Sequence, residues 1–176
     1  MTASPGLDIP LPLPCGSVLP NRLAKAAMTE GVADQHLHAT ERHQRLYGRW
    51  SDGGAGLLIT GNVMIDRRVL ERPGNVAIDP VPAEGEPAGM EALRAWAREG
   101  TRNGNHLWMQ ISHAGRQSPR YVTSEPVGPS EVQLELMGNY ARPRALTDPE
   151  ILDFIERFGS VARTAKAAGF TGVQIH

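Results

Sequence analysis

Four apolar segments of the sequence end in polar or small residues whose chemistry suits a planar, hydrogen-bonding ligand. They finish at or beside Thr29, Gly61, Gln110 and His176. A glutamine carboxamide holds a donor and an acceptor side by side, which matches the imide edge of a pyrimidine-like ring. A glycine lets a flat ring approach the backbone closely, and a histidine can donate to a substrate oxygen. One such residue alone is more often structural, but four in succession favour a ligand site.

These residues are positioned by four predicted β-strands, which lie near residues 23–28, 57–62, 106–111 and 172–176. Segments with the apolar spacing of helices lie between them, over about 40–51, 87–100 and 147–169. Because strands and helices alternate, the sequence predicts an α/β fold with a parallel sheet, either doubly wound or closed into a barrel. In both arrangements ligands bind at the carboxyl ends of the strands, where the four residues stand.

The segment 147–169 carries the clearest helix signal. Thr147 and Glu150 have the spacing of a capping box, and Pro149 stands in the first turn, where proline is well tolerated. The helical period predicts one continuous apolar face, made of Ile151, Phe154, Ile155, Phe158, Val161, Ala162 and Ala165.

Two segments fall outside the repeating pattern. Residues 1–21 are rich in proline and predict an N-terminal cap or hairpin. Residues 113–146 are too long for a plain connection between a strand and a helix, so we expect a functional loop there. No internal repeat or interdomain linker is evident, and we treat 1–176 as part of one domain, with 22–176 as four strand–helix units.

Composition excludes several classes of function. The chain has 18 Lys and Arg against 19 Asp and Glu, a net charge of −1, so a nucleic-acid partner is not expected. The N-terminus has no signal-peptide pattern, and no apolar run approaches the roughly 20 residues of a membrane helix. The single cysteine, Cys15, excludes an internal disulfide and fits a reducing compartment. We therefore expect a cytoplasmic protein with no membrane partner.

Three histidines near the first helix do not make a convincing metal site. His36, His38 and His43 lie close in sequence, but a loop pair with one helical histidine lacks the spacing of known ligand sets. No metal is expected.

Several stretches together resemble, in order and spacing, the Old Yellow Enzyme family. The resemblance runs from about residue 8 to residue 176 and is carried by PNRLAKAAMTEG, LLITGNVMID, MQISHAGRQS, GPS at 128–130, and LTDPEILDFIERFGSVARTAKAAGFTGVQIH. It implies a TIM (β/α)8 barrel and an FMN-dependent enzyme that takes hydride from NAD(P)H and reduces an α,β-unsaturated carbonyl or similar small molecule. It also implies that this chain is a truncated N-terminal half of the barrel, ending at the fourth strand.

The resemblance assigns roles to six residues. Ala27, Met28 and Thr29 match the stretch along the flavin, with Thr29 facing a flavin carbonyl. Gly61 matches a residue whose backbone meets the ring, and Gln110 matches the glutamine that pairs with the pyrimidine part. His176 matches a catalytic group that anchors the substrate oxygen.

Three functions remain open from the sequence. The first is the FMN-dependent oxidoreductase, in which 176 residues alone are expected to be incomplete and inactive. The second is a truncated, non-catalytic half-barrel without flavin, which is stable only when it pairs with another chain, for example a second copy in a homo-oligomer, or is not stable at all. The third is another TIM-barrel enzyme that does not use flavin.

Overall fold

The computed structural model describes residues 6–79 and 86–176. The elements in chain order are β1 (Leu11–Pro12), β2 (Val18–Leu19), β3 (Ala24–Lys25), α1 (Glu41–Asp52), β4 (Leu57–Met64), β5 (Val76–Ala77), α2 (Met90–Gly100), β6 (His106–Ser112), β7 (Val127–Gly128), β8 (Arg144–Ala145), α3 (Asp148–Ala168) and β9 (Gly172–Ile175).

The main sheet is parallel, with strand order β3-β4-β6-β9. This confirms the predicted α/β architecture and the sequential order of four strands. The first strand is shorter than the predicted 23–28, because only Ala24 and Lys25 form ladder bonds with β4. A fifth short strand, β5, was not predicted from the sequence; it pairs in parallel with the end of β4.

Strand β4 carries an irregularity where it approaches the carboxyl end of the sheet. Its ladder with β6 shifts between Ile59, opposite Trp108, and Asn62, opposite Gln110. Three steps along β4 therefore match two steps along β6, which is the geometry of a β-bulge. The Thr60 hydroxyl accepts a hydrogen bond from the Gln110 backbone N–H at 2.9 Å. A side-chain oxygen therefore takes the place of a backbone carbonyl as the acceptor at the bulge.

The three helices cover one face of the sheet and enclose the main core. Trp96 of α2 is fully buried at its centre and makes edge contacts with the rings of Tyr47 and Phe170 at 5.2 and 5.5 Å. The capping box of α3 forms as predicted, since the Thr147 N–H donates to the Glu150 carboxylate at 2.8 Å.

The predicted apolar face of α3 is wrong at Ile151 and Ile155, whereas Phe154 and Phe158 pack against the core as predicted. Val161 and Ala165 are fully buried, but Ile151 and Ile155 are 42% and 60% exposed. The helix packs against α2, β6 and β9, and β9 is the last strand of the sheet on that side. Its N-terminal turns therefore have no further strand–helix unit to cover them within the described residues.

The two flanking segments each form a small sheet. Strands β1 and β2 make the predicted N-terminal hairpin, and β7 pairs in parallel with β8 across the long 113–146 segment. Within residues 6–79 and 86–176, no helix combines the length and apolar character required to cross a membrane.

Candidate active site

The parallel sheet brings the predicted residues of three neighbouring strands to one edge. In the ladder, Asn62 of β4 lies opposite Gln110 of β6, and Gln110 lies opposite Gln174 of β9. Three carboxamide side chains therefore stand in one row across the carboxyl half of the sheet. His176 follows one step beyond β9, where its backbone N–H donates to the Ile111 carbonyl at 2.9 Å.

Gln110 is held in place by its neighbour in this row. It is only 7% exposed, and its Nε2 donates to Gln174 Oε1 at 2.7 Å. A buried carboxamide with a partner on the same sheet has a fixed orientation. This arrangement can present a hydrogen-bonding edge to a planar ligand without further ordering of the glutamine.

His176 lies beside a buried hydroxyl. Its Nδ1 is 3.5 Å from Ser112 Oγ, and Ser112 is buried while the histidine is exposed. The ring is therefore braced on one nitrogen and accessible elsewhere. A histidine in this setting can donate a hydrogen bond to a ligand oxygen that lies over the strand ends.

Thr29 contacts a carboxylate that comes from a different segment. Its Oγ1 donates to Glu71 Oε2 at 2.5 Å. The same carboxylate oxygen accepts from Asn62 Nδ2 at 3.1 Å and lies 3.5 Å from Asn75 Nδ2. Glu71, in the loop that follows β4, thus connects Thr29, which lies beyond the end of β3, to Asn62 of β4.

Gly61 lies in the bulge of β4 and is in close contact with residues 28–30, which follow β3. A Cβ added to it would lie 2.4 Å from the Met28 carbonyl oxygen and 2.6 Å from Thr29 Cα. Its backbone N–H donates to Glu30 Oε1 at 3.0 Å. Glycine is therefore required by the close approach of the chain at 28–30, whatever ligand binds above it.

Glu30 also joins a polar cluster under α1. It accepts a hydrogen bond from the Tyr47 hydroxyl, and burial, aided by this carboxylate, raises the pKa of Tyr47. Lys25 lies 4.2 Å from the Trp50 ring centre and donates to the Ile59 carbonyl at 2.8 Å. Burial lowers the pKa of Lys25 to about 8, partly opposed by Glu30. The cluster fixes the end of the first strand segment against β4.

Ala27 and Met28 lie between the paired part of β3 and Thr29. Ala27 is half-buried and Met28 is 55% exposed. Their role along a flavin stays a prediction, as do the roles of the other residues assigned by resemblance. Within the described ranges, no group of three or more His, Cys, Asp or Glu side chains is arranged to hold a metal ion.

Sequence reasoning missed three residues of this region. Gln174 could have been found, because alternation along a strand places it on the same face as His176. Glu30 and Glu71 gave no signal, since both contacts depend on how distant segments meet.

The chain belongs to the NADH:flavin oxidoreductase / NADH oxidase family, whose model matches residues 10–176. It is 33% identical to an NADH-dependent flavin oxidoreductase of Hypocrea jecorina over 96% of this chain and 45% of that protein. It is also 33% identical to an NADH oxidase of Thermoanaerobacter brockii over 90% of this chain and 24% of that protein. The chain thus spans less than half the length of these relatives.

Solved structures show the same architecture. The Old Yellow Enzyme homologue from Zymomonas mobilis superposes with a TM-score of 0.82 at 28% identity, over 98% of this chain and 48% of that one. Morphinone reductase superposes with a TM-score of 0.82 at 26% identity, over 100% of this chain and 49% of that one. The likeness covers almost all of this chain and about half of each neighbour, as a partial barrel should.

Proposed function

We propose that this chain forms the first half of an FMN-dependent oxidoreductase that uses NADH or NADPH to reduce an activated alkene such as an α,β-unsaturated carbonyl. When bound, FMN would supply the hydride-carrying chemistry, which amino-acid side chains lack. The active form is a complete barrel, in which further strand–helix units close the sheet that this chain begins. The relatives of this chain are long enough to contain such units. We also propose that 1–176 is the N-terminal part of that single domain.

The observation that carries this proposal is the row of carboxamides at the strand ends. Asn62 Oδ1 is buried and has no hydrogen-bond partner within the described residues. A buried acceptor without a donor costs stability of about 1–3 kcal/mol unless a ligand or water satisfies it. The isoalloxazine of FMN has an imide N–H and carbonyl oxygens, so it can satisfy both the free acceptor and the amide edge of Gln110.

The residues of this chain would then divide the work between cofactor and substrate. Gln110, held by Gln174, orients the pyrimidine edge of the ring, and Ala27, Met28, Thr29 and Gly61 border it. His176 donates to the substrate oxygen and withdraws electron density from the conjugated alkene. A donor placed where charge develops is among the largest contributions to catalysis.

The test is to produce the complete barrel and the 176-residue chain side by side. The complete barrel should purify with a flavin absorbance band and oxidise NADH or NADPH when an enone is added. The 176-residue chain should bind FMN far more weakly, since the barrel loops after strands seven and eight commonly bind phosphate.

Two results would contradict the proposal. A complete barrel that purifies without flavin and takes up none on titration would favour a barrel enzyme of another kind. Micromolar FMN binding by the monomeric 176-residue chain would show that the second half contributes less than we propose.

A further inference from the structure

The contact between Thr29 and Glu71 determines where the only proton of the Thr29 hydroxyl points. The Oγ1–Oε2 distance is 2.5 Å, which is in the range of a charge-assisted O–H···O⁻ bond. A threonine hydroxyl has one donor and two acceptor positions. With its proton on Glu71, Thr29 can offer only lone pairs to any other neighbour.

Glu71 is itself fixed in this position by neighbouring amides. Besides Thr29, its Oε2 accepts from Asn62 and lies within 3.5 Å of Asn75 Nδ2. Asn75 is 2% exposed and also joins the loop backbone, because its Oδ1 accepts from the Arg72 N–H at 2.8 Å. The Glu71 carboxylate is therefore held by a hydrogen-bond network and is not a freely moving surface group.

We propose that Glu71 is a positioning residue which withholds the Thr29 proton from the flavin and thereby lowers the reduction potential of the cofactor. This inference rests on the proposed function, in which Thr29 borders the flavin. Reduction adds electron density to the ring, and density at a carbonyl is stabilised by a donor and destabilised by a nearby lone pair or carboxylate. Glu71 acts on the flavin in both ways, through Thr29 and through its own charge.

The first test is the variant Glu71→Gln in the complete barrel. Glutamine keeps the shape but removes the charge, and its neutral amide oxygen accepts the Thr29 proton more weakly than a carboxylate does. We expect the preference for reduced over oxidised FMN to rise about tenfold, which is roughly 30 mV for a two-electron couple. Glu99→Gln is the matched control, because Glu99 is a half-buried carboxylate of α2 that pairs with Arg102 away from the strand ends. The midpoint potential of FMN in this variant should equal that in the wild type.

The second test is Thr29→Val, which removes the hydroxyl at constant shape. If Glu71 already withholds the proton, the ratio of the affinities for reduced and oxidised FMN should change by less than threefold. If Thr29 instead donates to the flavin in the wild type, that ratio should fall by tenfold or more, which lowers the potential by roughly 30 mV or more, and our inference is wrong. This variant also serves if Glu71→Gln does not fold.

The outcomes separate this inference from the proposed function. Flavin that binds normally, with a potential unchanged or lowered by Glu71→Gln, overturns the inference alone. A wild-type complete barrel that takes up no FMN overturns the proposed function and the inference with it.

Discussion

Acidification should destabilise this chain through His43, a histidine outside the candidate site. The side chain is 1% exposed and its ring packs on Trp96 at 4.6 Å between centroids. Its Nδ1 accepts a hydrogen bond from the Thr40 N–H at 3.0 Å, at the start of α1. The hydrogen bond requires an unprotonated Nδ1, and burial, with a smaller effect of Arg42, lowers the pKa of His43 to about 4.

The sign and size of the effect follow from this pKa. The unfolded chain binds the proton near pH 6.5 and the folded chain only near pH 4, so the native state loses stability as pH falls between these values. At roughly 1.4 kcal/mol per pKa unit, the complete loss is about 3 kcal/mol. About 2 kcal/mol of it should be lost by pH 5, where native carboxylates contribute little.

The assay is urea unfolding at several pH values from 7.5 to 5. His43→Gln stays neutral throughout, so its free energy of unfolding should be lower at pH 7.5 and should fall by about 2 kcal/mol less than that of the wild type by pH 5. The fall that remains includes the contribution of His113, whose pKa is also lowered by burial. His36→Gln, at an exposed loop histidine, should keep the wild-type dependence on pH. If wild type and His43→Gln lose the same free energy between pH 7.5 and 5, the buried neutral histidine is not the cause.

Three further predictions concern the strand ends. Gln110→Ala should weaken FMN binding by about 1–3 kcal/mol, measured by fluorescence quenching in the complete barrel, whereas Gln117→Ala at an exposed site should leave it unchanged; equal affinities would refute the flavin placement. His176→Ala should slow enone reduction about a hundredfold and, with FMN affinity preserved, weaken the binding of a phenol, whose oxygen would accept from the histidine as the substrate oxygen does; unchanged phenol affinity would show that His176 is not this donor. Gly61→Ala should lower the free energy of unfolding by about 1–3 kcal/mol, because its Cβ would meet backbone at 2.4 Å. Gly159→Ala, in α3 with ordinary space for a Cβ, should instead raise it by about 0.5–1 kcal/mol; the same sign for both would show that close approach at Gly61 is not the cause.

The sheet was predictable because its signals are local. Strands β4 and β6 read as short apolar runs between turn signals, and the Thr147–Glu150 capping box marked the start of α3. The order β3-β4-β6-β9 then follows from the tendency of sequential parallel strands to lie side by side.

The candidate site was only partly predictable. Gln110 and His176 stand at strand ends, where the fold class itself directs attention. The partner of Thr29 is Glu71, 42 positions away in the sequence, and no local pattern marks such a contact. The exposed Ile155 shows the opposite limit: helical spacing identifies an apolar stripe but not how far along it the neighbouring elements reach.

The bulge in β4 also sets the phase of the strand's two faces. Leu58 and Val63 both belong to the core under the helices, although they are five positions apart and strict alternation would place their side chains on opposite faces of the sheet. The inserted residue at Thr60–Gly61 therefore works as a phase shift, after which Asn62 comes into line with Gln110. Deleting one residue here would give a more regular strand that turns either its core side chains or its ligand-facing ones the wrong way. A sequence alignment or a variant library that allows a one-residue deletion here would therefore retain a strand of normal appearance but misplace the residues of the candidate site.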